Sequence, residues 1–411
     1  MRQISIACFI AGSAVASLAR SAPAQNVVVL PSLGGAGAIA NDINDDGVVV
    51  GQSVAPLSGG LIAMRWDASR VPVNLGMLAG HVSAQAYAIN NAGQIVGYSE
   101  DSTGARHATL WDGTGGIIDV HAAIGSSGSS IPWDINDAGL VVGQASINPG
   151  FAKGFVWQIG TSGQVAGGLD GYTGSRNLAV NNSNVIVGSS FFFGDPDDAH
   201  RANPDGRGGW DSVQIGPTGY EMSVASGISP NGTIVGYTTF HSTTDSWNAV
   251  IFDGDHDVIV LGTLPGLDTS EAYDVNDHGL IVGQAFDGSG IGLEPHAFAY
   301  YQGVMHDLND LLNPDSAFEV LLGANAVNAH NDIVGFGRLN DGTIAGFLIE
   351  HFGDTLCKGD FNQDGLFDFF DVQAFLQAFA DGDTSADFTG DGLFDFFDVQ
   401  EFLNVFSGQC L

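Results

Sequence analysis

Positive charge is what this chain has least of. Its 411 residues hold 11 Lys plus Arg against 46 Asp plus Glu, a net charge of −35. Such a field repels phosphate backbones and anionic membrane faces, which argues against nucleic-acid binding, and it favours solubility and cation binding. Beyond the first residues no apolar run is long enough to span a bilayer, so no transmembrane segment is expected. There is no G-x-S-x-G elbow, no H-E-x-x-H and no P-loop, which removes the sequence signatures of three large enzyme classes. Cysteine is scarce as well. Past residue 24 only Cys357 and Cys410 remain. They bracket the C-terminal segment, and in an oxidising compartment such a pair reads as a disulfide.

What is present begins with an export signal. Arg2 precedes the apolar stretch ISIACFIAGSAVASLA, and Ala22-Pro23-Ala24 supplies a small-residue cleavage site. Residues 1–24 are therefore expected to be a signal peptide, and the mature protein to be secreted or held at the cell surface. The 59 glycines are about twice the average fraction and announce many turns.

A repeat accounts for those turns. The stretch DINDDGVVVG ends at Gly51, and six variants of it end at Gly97, Gly143, Gly188, Gly236, Gly283 and Gly335. Each copy has an apolar residue, a polar turn, and then a β-branched run. The turn closes with Gly47, Gly93, Gly139, Asn184, Gly232, Gly279 or Asn331, residues that tolerate a left-handed backbone. Strand, tight turn, strand is the predicted unit, with a left-handed turn residue and a bulge. A looser strand follows in each copy, as in HATLWDG and HAFAYYQG. A shorter one comes after it. Four strands per unit of about 47 residues, seven times over, predicts a mainly β fold: a seven-bladed propeller over residues 25–353. In the fourth unit the segment 191–210 looks like an insertion or a degenerate blade edge. The chain opens and ends in mid-repeat. The seventh blade is expected to take one strand from 344–352 and the rest from 26–52, sealing the ring.

These units resemble the HAF family of extracellular repeats, named for a His-Ala-Phe stretch that stands here as His296-Ala297-Phe298, with a variant at His107-Ala108-Thr109. The resemblance implies secretion and a propeller-like fold, and carries no catalytic residue.

The last segment, 354–411, repeats differently. DFNQDGLFDFFDVQAFLQAF starts at Asp360 and DFTGDGLFDFFDVQEFLNVF at Asp387. A twelve-residue calcium loop needs oxygens at positions 1, 3, 5, 9 and 12, a carbonyl at 7 and Gly at 6. The first loop offers Asp360, Asn362, Asp364, Leu366 (its carbonyl), Asp368 and Asp371. The second offers Asp387, Thr389, Asp391, Leu393 (its carbonyl), Asp395 and Asp398. Two bound calcium ions are expected. Each loop leads into a helix with an apolar stripe, Val372, Phe375, Leu376 and Phe379 in one and Val399, Phe402, Leu403 and Phe406 in the other. DINDDG, though it opens like a calcium loop, has Ser53 at its twelfth position and reads as a hairpin turn.

The paired loops resemble a dockerin, and the bracketing cysteines resemble the GC-type dockerins of secreted bacterial proteins. That resemblance implies a calcium-dependent, small α-helical module docking on a cohesin-like or other envelope receptor through loop positions 10 and 11. Those positions are Phe369, Phe370, Phe396 and Phe397, which depart from the small hydroxyl pairs of cellulosomal dockerins; core packing is the other role open to them. The function expected is a secreted binding protein with a glycan or protein ligand at the propeller mouth. The alternative is a polysaccharide-active enzyme, a glycoside hydrolase or lyase, on the same frame. Aromatics at the mouth would favour binding, and converging free acids would favour catalysis.

Overall fold

The computed structural model describes residues 27–56, 59–147, 151–192, 196–217, 222–239, 246–254, 256–288, 294–353, 361, 369–389 and 392–406. Seven four-stranded antiparallel sheets form the blades of a closed ring. The strand nearest the axis is Ala38–Ile43 in blade 1, Ser83–Ile89 in blade 2 and Ser130–Ile135 in blade 3. Gly174–Val180, Ser223–Ile228, Thr269–Val275 and Phe318–Val327 take that place in blades 4 to 7. Each inner strand touches the next, and the seventh touches the first.

The recurring turn joins the first and second strand of every blade. In blade 1, Gly47 N–H donates to Asn44 O at 3.0 Å and Asn44 N–H to Val48 O at 3.1 Å. The seven closing residues all have positive φ, from 60° at Asn184 and Asn331 to 98° at Gly232, as the left-handed position requires. The buried turn asparagines also stitch the ring. Asn90 Nδ2 donates to Asn136 O at 2.9 Å, Asn136 Nδ2 to Asn181 O at 3.0 Å, and Asn328 Nδ2 to Asn44 O at 3.1 Å. The same amide's oxygen caps its own turn, as in Leu140 N–H to Asn136 Oδ1 at 2.9 Å. Blade 5 has Ser229 at this position, too short to reach across.

A second constant feature is a bulge. Every inner strand carries an extra residue at the same place, in turn Asn41, Tyr87, Trp133, Leu178, Ser226, Tyr273 and Asn325, and blade 7 has two more at Glu319 and Leu322. Opposite the residue before each shared bulge lies the glycine that ends the repeat motif. A Cβ on any of these seven glycines would collide with the inner strand's backbone. Close approach therefore demands glycine here, while left-handed geometry demands it in the turn.

Two expectations about the ring are corrected. Closure is not shared as the half-repeats suggested. Blade 7 takes three strands from the C-terminal side, Phe318–Val327, Ile333–Leu339 and Ile344–Ile349, and only Val27–Leu30 from the N-terminal side. Ala38–Ile43 and Val49–Val54 belong wholly to blade 1. The latch pairs Val27 with Ile349 and Leu30 with Gly346. Nor does 191–210 break the fourth blade. Asp198–Pro204 is its regular third strand and Trp210–Gln214 its fourth.

The fourth blade was obscured because His200 stands where Phe155, Phe298 and Phe347 stand in other blades, opposite the repeat's glycine. His200 is fully buried. Its Nδ1 is 3.1 Å from Ser190 Oγ and its Nε2 is 3.3 Å from Asn177 Oδ1. Asn177 Nδ2 donates to Phe155 O and Ala166 O, so its oxygen faces the imidazole, which carries its proton on Nε2. Burial pushes the His200 pKa down to about 3. Because the folded pKa lies below the unfolded one, the unfolded chain takes up the proton first, and stability falls as pH drops below about 6.5. Between pH 7 and pH 5 the loss is about 2 kcal/mol. Urea unfolding of the protein and of His200→Phe at both pH values should show that difference. Equal pH dependence in the two proteins would contradict it.

The C-terminal helices run Phe369–Asp381 and Phe396–Phe406. Phe375 and Phe402 stack with centroids 4.0 Å apart and an interplanar angle of 4°, and Phe361 meets both edge-on. The predicted stripes are half right. Phe375 and Phe402 are buried, but Leu376 and Leu403 are 50% and 49% exposed. Phe361 and Phe388, from the second position of each loop, take the space beside the helices instead.

Candidate functional site

The channel opens on two faces. On the face of the recurring turns its mouth encloses about 740 Å³, including open solvent. Its acids are engaged with neighbouring blades. Asp45 accepts from Ala329 N–H at 3.0 Å and Asn91 Nδ2 at 2.7 Å. Asp137 accepts from Asn91 N–H at 2.8 Å and Asn182 Nδ2 at 2.7 Å, and Asp277 from Asn231 N–H at 2.8 Å. Deeper in, Asp42, Asp134 and Asp274 each bridge two blades. Asp134, for example, accepts from Ile135 N–H and Val180 N–H, both at 2.7 Å. Burial raises all three carboxyls, Asp134 to about 6 and Asp274 to about 7. This mouth is built to hold blades together.

The opposite mouth has a different chemistry. The bulge takes Tyr87, Trp133 and Tyr273 out of the strand's two-residue alternation. Tyr87 packs on Trp133 at 4.8 Å and on Tyr98 at 5.8 Å, and the Arg106 guanidinium lies 4.7 Å over Tyr98. Blades 5 and 6 contribute Tyr237 stacked on Trp247 at 5.4 Å, with Phe286 edge-on. Tyr273 OH lies 2.8 Å from Glu271 Oε2 and 2.9 Å from Gln284 Oε1. Burial holds the Tyr87 and Tyr273 hydroxyls protonated and raises Glu271. Arg176 of blade 4 pairs with Asp197, which also accepts from Ser189 Oγ at 2.8 Å. Six buried side-chain atoms are without a hydrogen-bond partner among the described residues; two of them are Trp133 Nε1, a donor, and Gln52 Oε1, an acceptor, and the others belong to Arg70, His81, His107 and Arg201. Such atoms usually have water or a ligand as partner. Tyr87, Trp133 and Tyr273 escaped the sequence reading because the bulge breaks the strand period. Their signal was position, since each lies three residues before the turn asparagine in a column that varies from blade to blade.

The HAF histidines sit at the start of third strands. His296 Nδ1 is 2.6 Å from Asp307 Oδ2, and His107 Nδ1 is 3.9 Å from Asp119 Oδ2. His296 thus ties the third strand to the fourth, while His107 Nδ1 makes no hydrogen bond among the described residues.

Most of the first calcium loop, Asp360, Asn362, Asp364, Leu366 and Asp368, lies outside the described residues, as do Asp391, Cys357 and Cys410. Asp371 and Asp398 are buried in the first turns of their helices. Asp398 Oδ1 accepts from Thr389 N–H and Oγ1, each at 3.0 Å, and its Oδ2 from Asp395 N–H at 2.9 Å. The Asp395 N–H, then the Thr389 N–H, hold its pKa low. Asp387 Oδ2 accepts from Gly392 N–H at 2.8 Å, and Gly392 has φ +79°. Leu393 is 61% exposed. Positions 3, 9 and 12 of the second loop are thus linked through Asp398, and position 1 is linked to the glycine at position 6; their oxygen-only donors suit a hard cation. Among the described residues no three His, Cys, Asp or Glu side chains are already grouped around a metal position. Phe369, Phe370, Phe396 and Phe397 are 60–72% exposed, which settles against a core role for them.

Neither a protein-family profile nor a curated protein matches the chain. Solved structures do match. A puromycin-hydrolysing peptidase of Mycobacterium tuberculosis aligns with TM-score 0.52 and 10% identity, over 79% of this chain and 54% of that one. The BP39L lectin of Burkholderia pseudomallei aligns with TM-score 0.42 and 10% identity, over 77% and 95%. TolB of Acinetobacter baumannii gives 0.41 and 13%, over 62% and 61%. The chain spans about half the length of the peptidase structure. At such identities the likeness is of fold alone. This chain is a seven-bladed β-propeller protein with a short helical pair at its C-terminal end.

Proposed function

We propose that the protein is a secreted or surface-held binding protein whose aromatic mouth takes a glycan. The observation carrying this is the ring of half-buried aromatics from blades 2, 3, 5 and 6, with the unpartnered Trp133 Nε1 and Gln52 Oε1 among them. Aromatic faces suit the C–H face of a sugar ring, and a free donor and a free acceptor suit its hydroxyls. The acids beside these aromatics, Glu271, Asp197 and Glu100, are engaged by Tyr273, by Ser189 and Arg176, and by Arg106, which favours binding over acid–base chemistry. The signal peptide supports export. The two oxygen-rich loops support calcium binding, and a Cys357–Cys410 disulfide would brace the same unit. The exposed Phe369-Phe370 and Phe396-Phe397 pairs support docking of that unit on an envelope receptor, cohesin-like in role.

Trp133→Ala with Tyr273→Ala tests the mouth. A panel of glycans and peptides is titrated by calorimetry against the intact chain and the double variant. A glycan should bind the intact chain and lose about tenfold or more in affinity with the variant. A ligand set confined to peptides, or equal binding by the two proteins, would overturn the reading.

A further inference from the structure

Away from the aromatic mouth, on the face of the recurring turns, a recess of about 1020 Å³ including open solvent lies between blades 1 and 2. Arg65 reaches it from the third strand of blade 1 (Leu61–Trp66) and Asn74 from the fourth (Pro72–Asn74). Val73, Leu75 and Ile95 form an apolar wall.

The charge pattern at this recess is unusual for so acidic a chain. Arg70, Arg106, Arg176 and Arg338 each pair with a carboxylate. Arg65 has no ion pair and no side-chain hydrogen bond among the described residues, although Asp46 and Asp112 line the same recess. Asp112 is committed to its own loop, where Oδ1 accepts from Thr114 N–H and Gly116 N–H, each at 2.8 Å. Asp46 is exposed. Asn74 spends its oxygen on Gly76 N–H at 2.8 Å, which leaves its NH₂ as a donor. The groups left uncommitted beside the apolar wall are therefore two donors, the Arg65 guanidinium and the Asn74 amide, with the exposed Asp46 carboxylate at the same recess.

Between blades 7 and 1 the cation is already spent, since Arg70 Nη2 lies 2.5 Å from Glu350 Oε1. In blade 3, Gln158 Nε2 donates to Ala138 O at 2.8 Å, and in blade 4, Trp210 Nε1 donates to Asn184 O at 3.0 Å. By strand register the residues that match Arg65 are Leu110, Val156, Arg201, Ile251, Ala299 and Leu348, so blade 4 alone places another cation at that position.

We propose that this recess is a second ligand site, for a saccharide residue bearing a carboxylate. Its carboxylate pairs with the Arg65 guanidinium, its ring oxygens accept from Asn74 Nδ2, and one C–H face rests on Leu75 and Ile95. A guanidinium without a partner selects a carboxylate. The apolar wall and the volume ask for a ring attached to it.

The test uses the full chain, with binding followed by calorimetry at low and moderate salt. The probes are an oligogalacturonate, a neutral oligosaccharide of the same length, and succinate as a carboxylate without a sugar ring. The oligogalacturonate should bind, more weakly as salt rises. Arg65→Ala should lower its affinity by about tenfold or more, Arg65→Lys should restore part of it, and Arg70→Ala, at the gap between blades 7 and 1, should leave it unchanged. Neutral-oligosaccharide binding that falls as much with Arg65→Ala, equal affinity for succinate, or undiminished oligogalacturonate binding by Arg65→Ala would overturn the assignment. Loss of binding with Trp133→Ala alone would place the acidic sugar at the aromatic mouth instead, and would overturn it too.

Discussion

Gly97→Ala is expected to destabilise the propeller by more than about 4 kcal/mol, the range reserved for severe steric conflict. Its Cβ would lie 2.8 Å from Ala86 Cα and closer still to the Gln85 carbonyl oxygen. Both neighbours are backbone atoms of an inner strand that is held on its other edge by the next blade. Neither can swing aside as a side chain would. Four residues earlier, Gly93 offers a control. Its φ is +75° and a Cβ there would meet nothing within 4 Å. Gly93→Ala should cost only about 1 kcal/mol, for the left-handed backbone. Denaturant unfolding of the two variants measures the contrast. A cost below about 1 kcal/mol for Gly97→Ala would mean that the strand pair at the bulge is not held as described.

Removing calcium is the second large effect expected. Residues 354–411 contain twelve acids and a single cation, Lys358. The described core of the helical pair is small, with Phe375, Ala386, Phe388 and Phe402 as its buried members. So few buried side chains do not offset the repulsion among the loop carboxylates, and a unit of this size ordinarily needs a metal or a disulfide. An excess of chelator should therefore melt both helices while leaving the seven sheets folded. Circular dichroism would register a loss of helical signal with the β signal retained, and added calcium would reverse it. Helices that persist unchanged in chelator would refute calcium dependence. The propeller should not respond, because the amide dipoles and side-chain hydrogen bonds of its turns are satisfied within the ring.

The ring was legible in the sequence because its turns repeat chemistry that only one backbone geometry accepts. Seven glycines or asparagines at the left-handed position, and seven glycines at the close approach, made the blade count readable. The phase of closure was less legible. A half-repeat at each end is compatible with any division of strands, and the division is decided by how much chain ahead of the first inner strand, Ala38–Ile43, pairs with Ile344–Ile349: among the described residues Val27–Leu30 supply one strand. His200 hid a strand by putting a polar ring where Phe was expected. Leu376 and Leu403 matched helical spacing but lost their place to Phe361 and Phe388, which enter from the loops. The aromatic mouth was the least visible feature. One inserted residue per inner strand redirects Tyr87, Trp133 and Tyr273, and no alternation pattern marks them.

The single-strand latch sets the order in which the chain can finish folding. Val27 finds its partner only at Ile349, 322 positions later. At synthesis rates of roughly 5–20 residues per second, the first strand waits about 16–65 s for its neighbour to leave the ribosome. Throughout that interval the first blade lacks the neighbour that covers one of its faces, and so does the newest blade. Circular permutation that joins the latch directly to Ile344–Ile349 as a hairpin would remove the wait, turning the most distant pairing in the molecule into one of its most local.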